Sequence, residues 1–149
     1  MSNDAISLLN NLSWHDSILY EIRFISTDSA DQVILILDLL EDWNELISKR
    51  VEIVFKRCFL VQSQMNWGIK CLSDGEMIFS ADCRSEGDLL ERVHSKWRNI
   101  GVSTNELLEF KLKLASTNSI LEIVFGEVAL KYLSNNSSHI TTPPILPTK

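Results

Sequence analysis

The sequence predicts an α+β domain with a curved, mainly antiparallel sheet of six or seven strands, an N-terminal helix and one amphipathic helix near residues 86–99. Three observations carry this. Apolar residues alternate with polar ones in several runs separated by Ser/Asn/Asp/Gly clusters, which is the period of a half-buried strand. One later run, with Leu89, Leu90, Val93, Trp97 and Ile100, keeps helical spacing instead. With 149 residues and a net charge of −6, the chain is long enough to bury a core without disulfide or metal staples.

Taken in order, Ala5, Leu8, Leu9 and Leu12 form one helical stripe, with Asp4 placed to accept the free N–H groups of the first turn. The corner Ser13-Trp14-His15-Asp16 hands over to a strand with Ile18, Tyr20, Ile22 and Phe24 on one face, ending near Ser26. Thr27 to Asp31 reads as a hairpin turn. Gln32 to Leu40 is apolar on both faces, which predicts a central strand covered on both sides. Glu41 to Ser48 reads as an acidic loop or single helical turn carrying Trp43. From Arg50 to Gln64 a long strand places Val51, Ile53, Phe55, Phe59 and Val61 together, and the interruption at Arg57 predicts a bulge or the sheet edge there.

Asp74-Gly75 suggests a two-residue hairpin between strands at Ile69 to Leu72 and Glu76 to Cys83. Ser85 with Asp88 three positions on matches a capping box for the second helix, and Gly101 its left-handed terminator. Leu108 to Leu114 is a strand with one wet face. The final run changes parity at Gly126, which predicts a second bulge. Residues 1–133 therefore read as one domain. Residues 134–149, rich in Ser, Asn and Pro, read as a flexible tail without a packed core.

Composition narrows function. Cys58, Cys71 and Cys83 lack metal-ligand spacing, no charged-then-apolar signal opens the chain, and no apolar run approaches membrane-spanning length, so a cytoplasmic, reduced protein away from membranes is expected. The cysteines read as small buried hydrophobes. His15, His94 and His139 are scattered, with His94 expected at a solvated helix edge, so neither metal nor other cofactor is expected. No phosphate-cradling glycine loop or nucleophile elbow occurs.

Between Arg23 and Lys49 stand Asp28, Asp31, Asp38, Glu41, Asp42 and Glu45 without an intervening cation, equal to the whole net charge. Such a surface disfavours nucleic acid and favours a basic protein partner. The candidate contact residues are Asp38, Glu41, Asp42, Trp43 and Glu45. Trp14, His15 and Asp16 read first as a structural corner. Two further readings stand beside this one: a small enzyme using His15 with Asp16 or Glu21, and a ligand-holding or oligomer-forming module, a homodimer included.

The order of elements resembles a group of small, largely uncharacterised bacterial proteins. Their hallmark is an aromatic-His-Asp-x-x-[Ile/Leu] start to the first strand, here Trp14-His15-Asp16-Ser17-Ile18-Leu19. Val51-Glu52-Ile53-Val54-Phe55-Lys56, Asn66-Trp67-Gly68 and Asn118-Ser119-Ile120-Leu121-Glu122-Ile123-Val124 are the later, equally short matches, and the likeness covers most of residues 8 to 133. Some members are similar to immunity proteins that neutralise a polymorphic or contact-dependent toxin by binding it. The resemblance thus implies a non-enzymatic binding protein with a toxin domain as partner, and it assigns no catalytic residues.

Overall fold

A computed structural model describes residues 2–28, 30–68 and 71–133. The elements run α1 (Ser2–Asn10), β1 (Ile18–Ser26), β2 (Asp31–Asp42), β3 (Ile47–Lys56), β4 (Leu60–Gln64), a 3-10 turn (Leu72–Asp74), β5 (Glu76–Arg84), α2 (Asp88–Arg98), β6 (Leu108–Leu114), β7 (Ile120–Phe125) and β8 (Glu127–Tyr132). The fold is α+β as the patterning predicts, with eight strand segments in the order β4-β7-β6-β5-β1-β2-β3-β8, each pair antiparallel. The tail read at 134–149 lies outside the described residues, as does His139.

The segment count exceeds the expected six or seven because two long strands are bent. Lys56 faces Glu127 and Leu60 faces Val124, so four steps along one strand match three along the other. That extra residue is a bulge, spanned by hydrogen bonds from Gly126 N to Lys56 O (3.1 Å) and from Phe59 N to Val124 O (2.8 Å). The interruption at Arg57 and the parity change at Gly126 are therefore two sides of one bend. Each outermost strand continues a strand near the opposite end of the order, so the sheet curls back on itself and its inner face encloses the core. Phe55 of β3 meets Phe110 of β6 at 4.8 Å and Phe125 of β7 at 4.9 Å between ring centroids, binding the two halves together.

Several face assignments change for the same reason. A register shift between Leu19 and Glu21 turns Leu19 and Ile22 into the core, while Ile18 and Tyr20 pack outside against Gly75. Past the Arg57 bend, Phe59 and Leu60 leave the main core and join Leu89, Leu90, Val93 and Val124 beneath α2. Both helices cover only part of the sheet. α1 packs on β5 and α2 on β6 and β7, so neither covers the outer face of β2. Ile34 and Ile36 are nonetheless buried there, in register with Arg23 and Glu21 of β1 and with Val54 and Glu52 of β3, whose side chains flank them.

Three local expectations are corrected. A 3-10 turn occupies Leu72–Asp74 where a strand ending at Leu72 was expected; residues 69 and 70 lie outside the described ones. Gly75 does take a positive φ of 93°, but it ends that turn and leads into β5. Neither Ser85 nor Asp88 caps α2. The buried Glu109 of β6 does so from across the fold, accepting from Leu90 N at 3.2 Å. Glu109 is 4% exposed, against the expectation of a wet face. Gly87 is required beside it, since a β-carbon there would collide with its carboxylate. At the other end Val102 N bonds Trp97 O and Gly101 N bonds Arg98 O with Gly101 at φ 78°, which is the expected glycine-terminated helix end. Ile100 falls beyond that end and is exposed.

Candidate functional site

The corner after α1 is a structural junction. Trp14 is buried, donates from its indole nitrogen to Leu9 O at 2.7 Å and packs on Phe110. Asp16 N donates to Ile78 O, and Ile78 N to Ser17 O, tying the corner to β5. The Ser17 hydroxyl donates to Ser13 O at 2.6 Å and accepts from Leu40 N at 2.9 Å, tying it to β2 as well. Asn10 completes the junction: its amide side chain both donates to and accepts from the backbone of Cys83, as a paired strand residue would. Asp16 itself occupies φ +72°, a left-handed position that Asp tolerates better than most residues.

His15 stands on the outside of this junction. Its Nδ1 lies 2.9 Å from Phe79 O, so this nitrogen carries the proton and donates; Nε2 is 3.6 Å from Asp16 Oδ1. Among the described residues no Ser, Thr or Cys side chain bonds to His15. Glu21 is in an ion pair with Arg23 at 2.9 Å and does not touch it. The arrangement thus holds the ring in place but supplies no nucleophile for it to activate. His94 is also held: Nδ1 is 2.6 Å from the hydroxyl of buried Thr104, where a solvated edge was expected.

Folding alters the acidic candidates more than any others. Lys49 and Arg50 follow them in sequence, but the β2–β3 register brings these cations back alongside. Arg50 grips Asp38 with two nitrogens and lies over the Tyr20 ring at 4.5 Å, and the Asp38 hydrogen bond raises its pKa. Lys49 is 3.5 Å from Glu41, which also accepts from the Tyr132 hydroxyl at 3.0 Å. Burial, followed by that hydrogen bond, raises the phenol's pKa. Asp38 and Glu41 are therefore already engaged. Asp42 uses one oxygen to accept Glu45 N at 3.0 Å and shape the turn, and among the described residues neither it nor Glu45 forms an ion pair at the hairpin tip.

At this tip Trp43 is 62% exposed, and it shares an open cleft of about 430 Å³ with Asn10, Leu12, Trp14, His15 and Phe79. Phe79, half exposed at the bulge of β5, makes an edge contact with the His15 ring at 5.9 Å and carries Lys113 over its face at 5.5 Å. The structure thus unites two features far apart in sequence, the His15 corner and the Trp43 tip, and adds Phe79, which nothing in the local pattern marks except its place as an outward-facing aromatic.

Other titratable groups are placed structurally. Glu76 is 1% exposed and accepts from Thr117 N at 2.9 Å and from the hydroxyls of Thr117 and Ser116, holding the β6–β7 turn. Cys83 is buried and Cys58 partly so; burial pushes their thiols up to about 12 and about 11, away from nucleophilic use. Cys71 is exposed, against expectation. Among the described residues no group of His, Cys, Asp and Glu could hold a metal, and no helix is long and apolar enough to cross a membrane. Comparison with protein-family models, curated proteins and solved structures finds no match.

Proposed function

We propose that the protein is a non-catalytic binding protein whose contact surface is the β2–β3 hairpin tip, Asp42, Trp43 and Glu45, together with His15 and Phe79. The observation that carries this reading is the exposure of Trp43 beside two carboxylates that form no ion pair among the described residues and a second exposed aromatic. An anchor of this kind, an aromatic with charge at its rim, is what protein interfaces concentrate their binding energy in. Carboxylates at the rim select a basic partner. The resemblance to immunity proteins makes a basic toxin domain the partner proposed.

The surface is narrower than the sequence alone suggests, because Asp38 and Glu41 already serve Arg50 and Lys49. Charge reversal should therefore target Asp42 and Glu45 only. Affinity capture from the native cell, with wild-type and variant baits of equal thermal stability, provides the test. Trp43→Ala and the double variant Asp42→Lys/Glu45→Lys are expected to lose a partner that the wild type retains, with Trp43→Ala costing at least 2 kcal/mol, about thirtyfold, in affinity for it. Retention of every partner by both variants would refute the assignment.

A further inference from the structure

β8 ends the strand order, and among the described residues no strand pairs with its second edge. Antiparallel neighbours alternate between pairs that exchange hydrogen bonds and pairs that do not. Leu133 N bonds the O of Arg50 directly opposite, so Lys131, Ala129 and Glu127 turn their backbone groups towards β3. Val128, Leu130 and Tyr132 therefore turn their N–H and C=O groups outward, along an open edge whose start borders a cleft shared with α1. The side chains alternate too. Val128 and Leu130 lie on the core side, opposite Phe55 and Ile53, whereas Glu127, Ala129 and Lys131 are exposed on the outer face. Among the described residues neither Glu127 nor Lys131 forms an ion pair.

We infer that this edge docks on the same edge of a second copy, β8 against β8, antiparallel about a two-fold axis at Ala129. A bare edge invites pairing, and this one is complementary to itself. The register sets Val128 opposite the partner's Leu130, two residues whose outward backbone groups can exchange hydrogen bonds. It also sets Glu127 opposite the partner's Lys131, twice by symmetry. Within each copy Lys56 stands beside Glu127 and Glu52 beside Lys131. Each row across the junction then reads Lys56, Glu127, the partner's Lys131 and the partner's Glu52, alternating in charge throughout. Ala129 meets its own copy in a pair without mutual hydrogen bonds, where side chains come closest and a methyl group fits. Moving the axis to Val128 or Leu130 sets Ala129 against Glu127 or Lys131 and breaks both charge pairs. A six-residue edge is a small interface, so a dimer in exchange with monomer is expected, with Kd on the order of tens of micromolar.

The test is sedimentation equilibrium of the full chain over rising concentration, joined to amide hydrogen exchange. The wild type is expected to pass from monomer to twice that mass. Glu127→Lys and Lys131→Glu each place like charges opposite one another at both ends of the junction, and each should weaken association at least about tenfold. Mixed in equal amounts, the two variants should associate as the wild type does, because their heterodimer regains both opposite-charge pairs. In the wild type the amides of Val128 and Leu130 should gain protection with concentration, while those of Ala129 and Lys131, bonded to β3, are protected throughout. A wild type that stays monomeric would overturn the inference. So would a dimer that neither variant weakens, a mixture no better than its components, or a dimer that leaves the Val128 and Leu130 amides unprotected. The inference does not rest on the surface at Asp42, Trp43 and Glu45, so its failure would leave that reading untouched.

Discussion

At the scale of single residues, the most consequential side chain at the corner is Ser17, the least conspicuous member of its motif. Ser17 is 1% exposed, and its hydroxyl serves Ser13 O and Leu40 N together. Ser17→Ala should leave the buried Leu40 N–H without its acceptor and lower stability by about 1–3 kcal/mol, measured by urea unfolding. A loss no greater than that of an exposed serine, Ser63→Ala for example, would show that another acceptor takes over. The sequence marks this corner as a junction but points to Asp16 and His15, since titratable groups attract notice and a serine does not. Glu76 is hidden for a related reason: its partners Ser116 and Thr117 lie some forty positions away, and no local pattern joins them.

At the scale of elements, α2 shows how well its apolar stripe can be read and how poorly its start can. Leu89, Leu90 and Val93 are buried as their spacing predicts, and Gly101 ends the helix as expected. The cap is different, because a carboxylate from β6 outcompetes the local Ser85. Glu109 also reaches Arg84 at 3.5 Å, so it joins β5, β6 and α2. Glu109→Ala is expected to cost about 1–3 kcal/mol through the unsatisfied Leu90 N–H and the freed Arg84, whereas Ser85→Ala should change stability by less than about 0.5 kcal/mol. Equal effects in thermal unfolding would restore the local capping box. The β2–β3 hairpin teaches the same lesson with charges. Counting acids along the chain overlooks Lys49 and Arg50, which the antiparallel register folds back onto Asp38 and Glu41.

For the whole molecule, fold class, most strand positions and both bulges were legible, because each depends on the period of apolar residues within a short window. How the strands connect was not. Arg57 and Gly126 each signal an irregularity, yet nothing local says that the two face each other and turn one long pairing into two. The same limit applies to sites. Trp43 was marked by its acidic surroundings, but its neighbours His15 and Phe79 arrive from the α1 corner and from β5 respectively.

The bend also has a meaning in time. β1, β2 and β3 are successive hairpin partners that can zip together locally, whereas joining β3 to β8 places Val51 opposite Tyr132 and requires most of the intervening chain to be in place. Closing so long a loop is entropically slow, and folding in roughly milliseconds to seconds is expected for such a topology. Stopped-flow refolding should therefore separate two substitutions. Leu35→Ala, within the β1–β2–β3 meander, should slow refolding, while Leu130→Ala in β8 should chiefly speed unfolding. If Leu130→Ala slowed refolding as strongly, β8 would belong to the nucleus. On the expected order, the contact of Arg57 with Gly126 forms only as the last strand docks, so the bend is the last part of the sheet to be fixed.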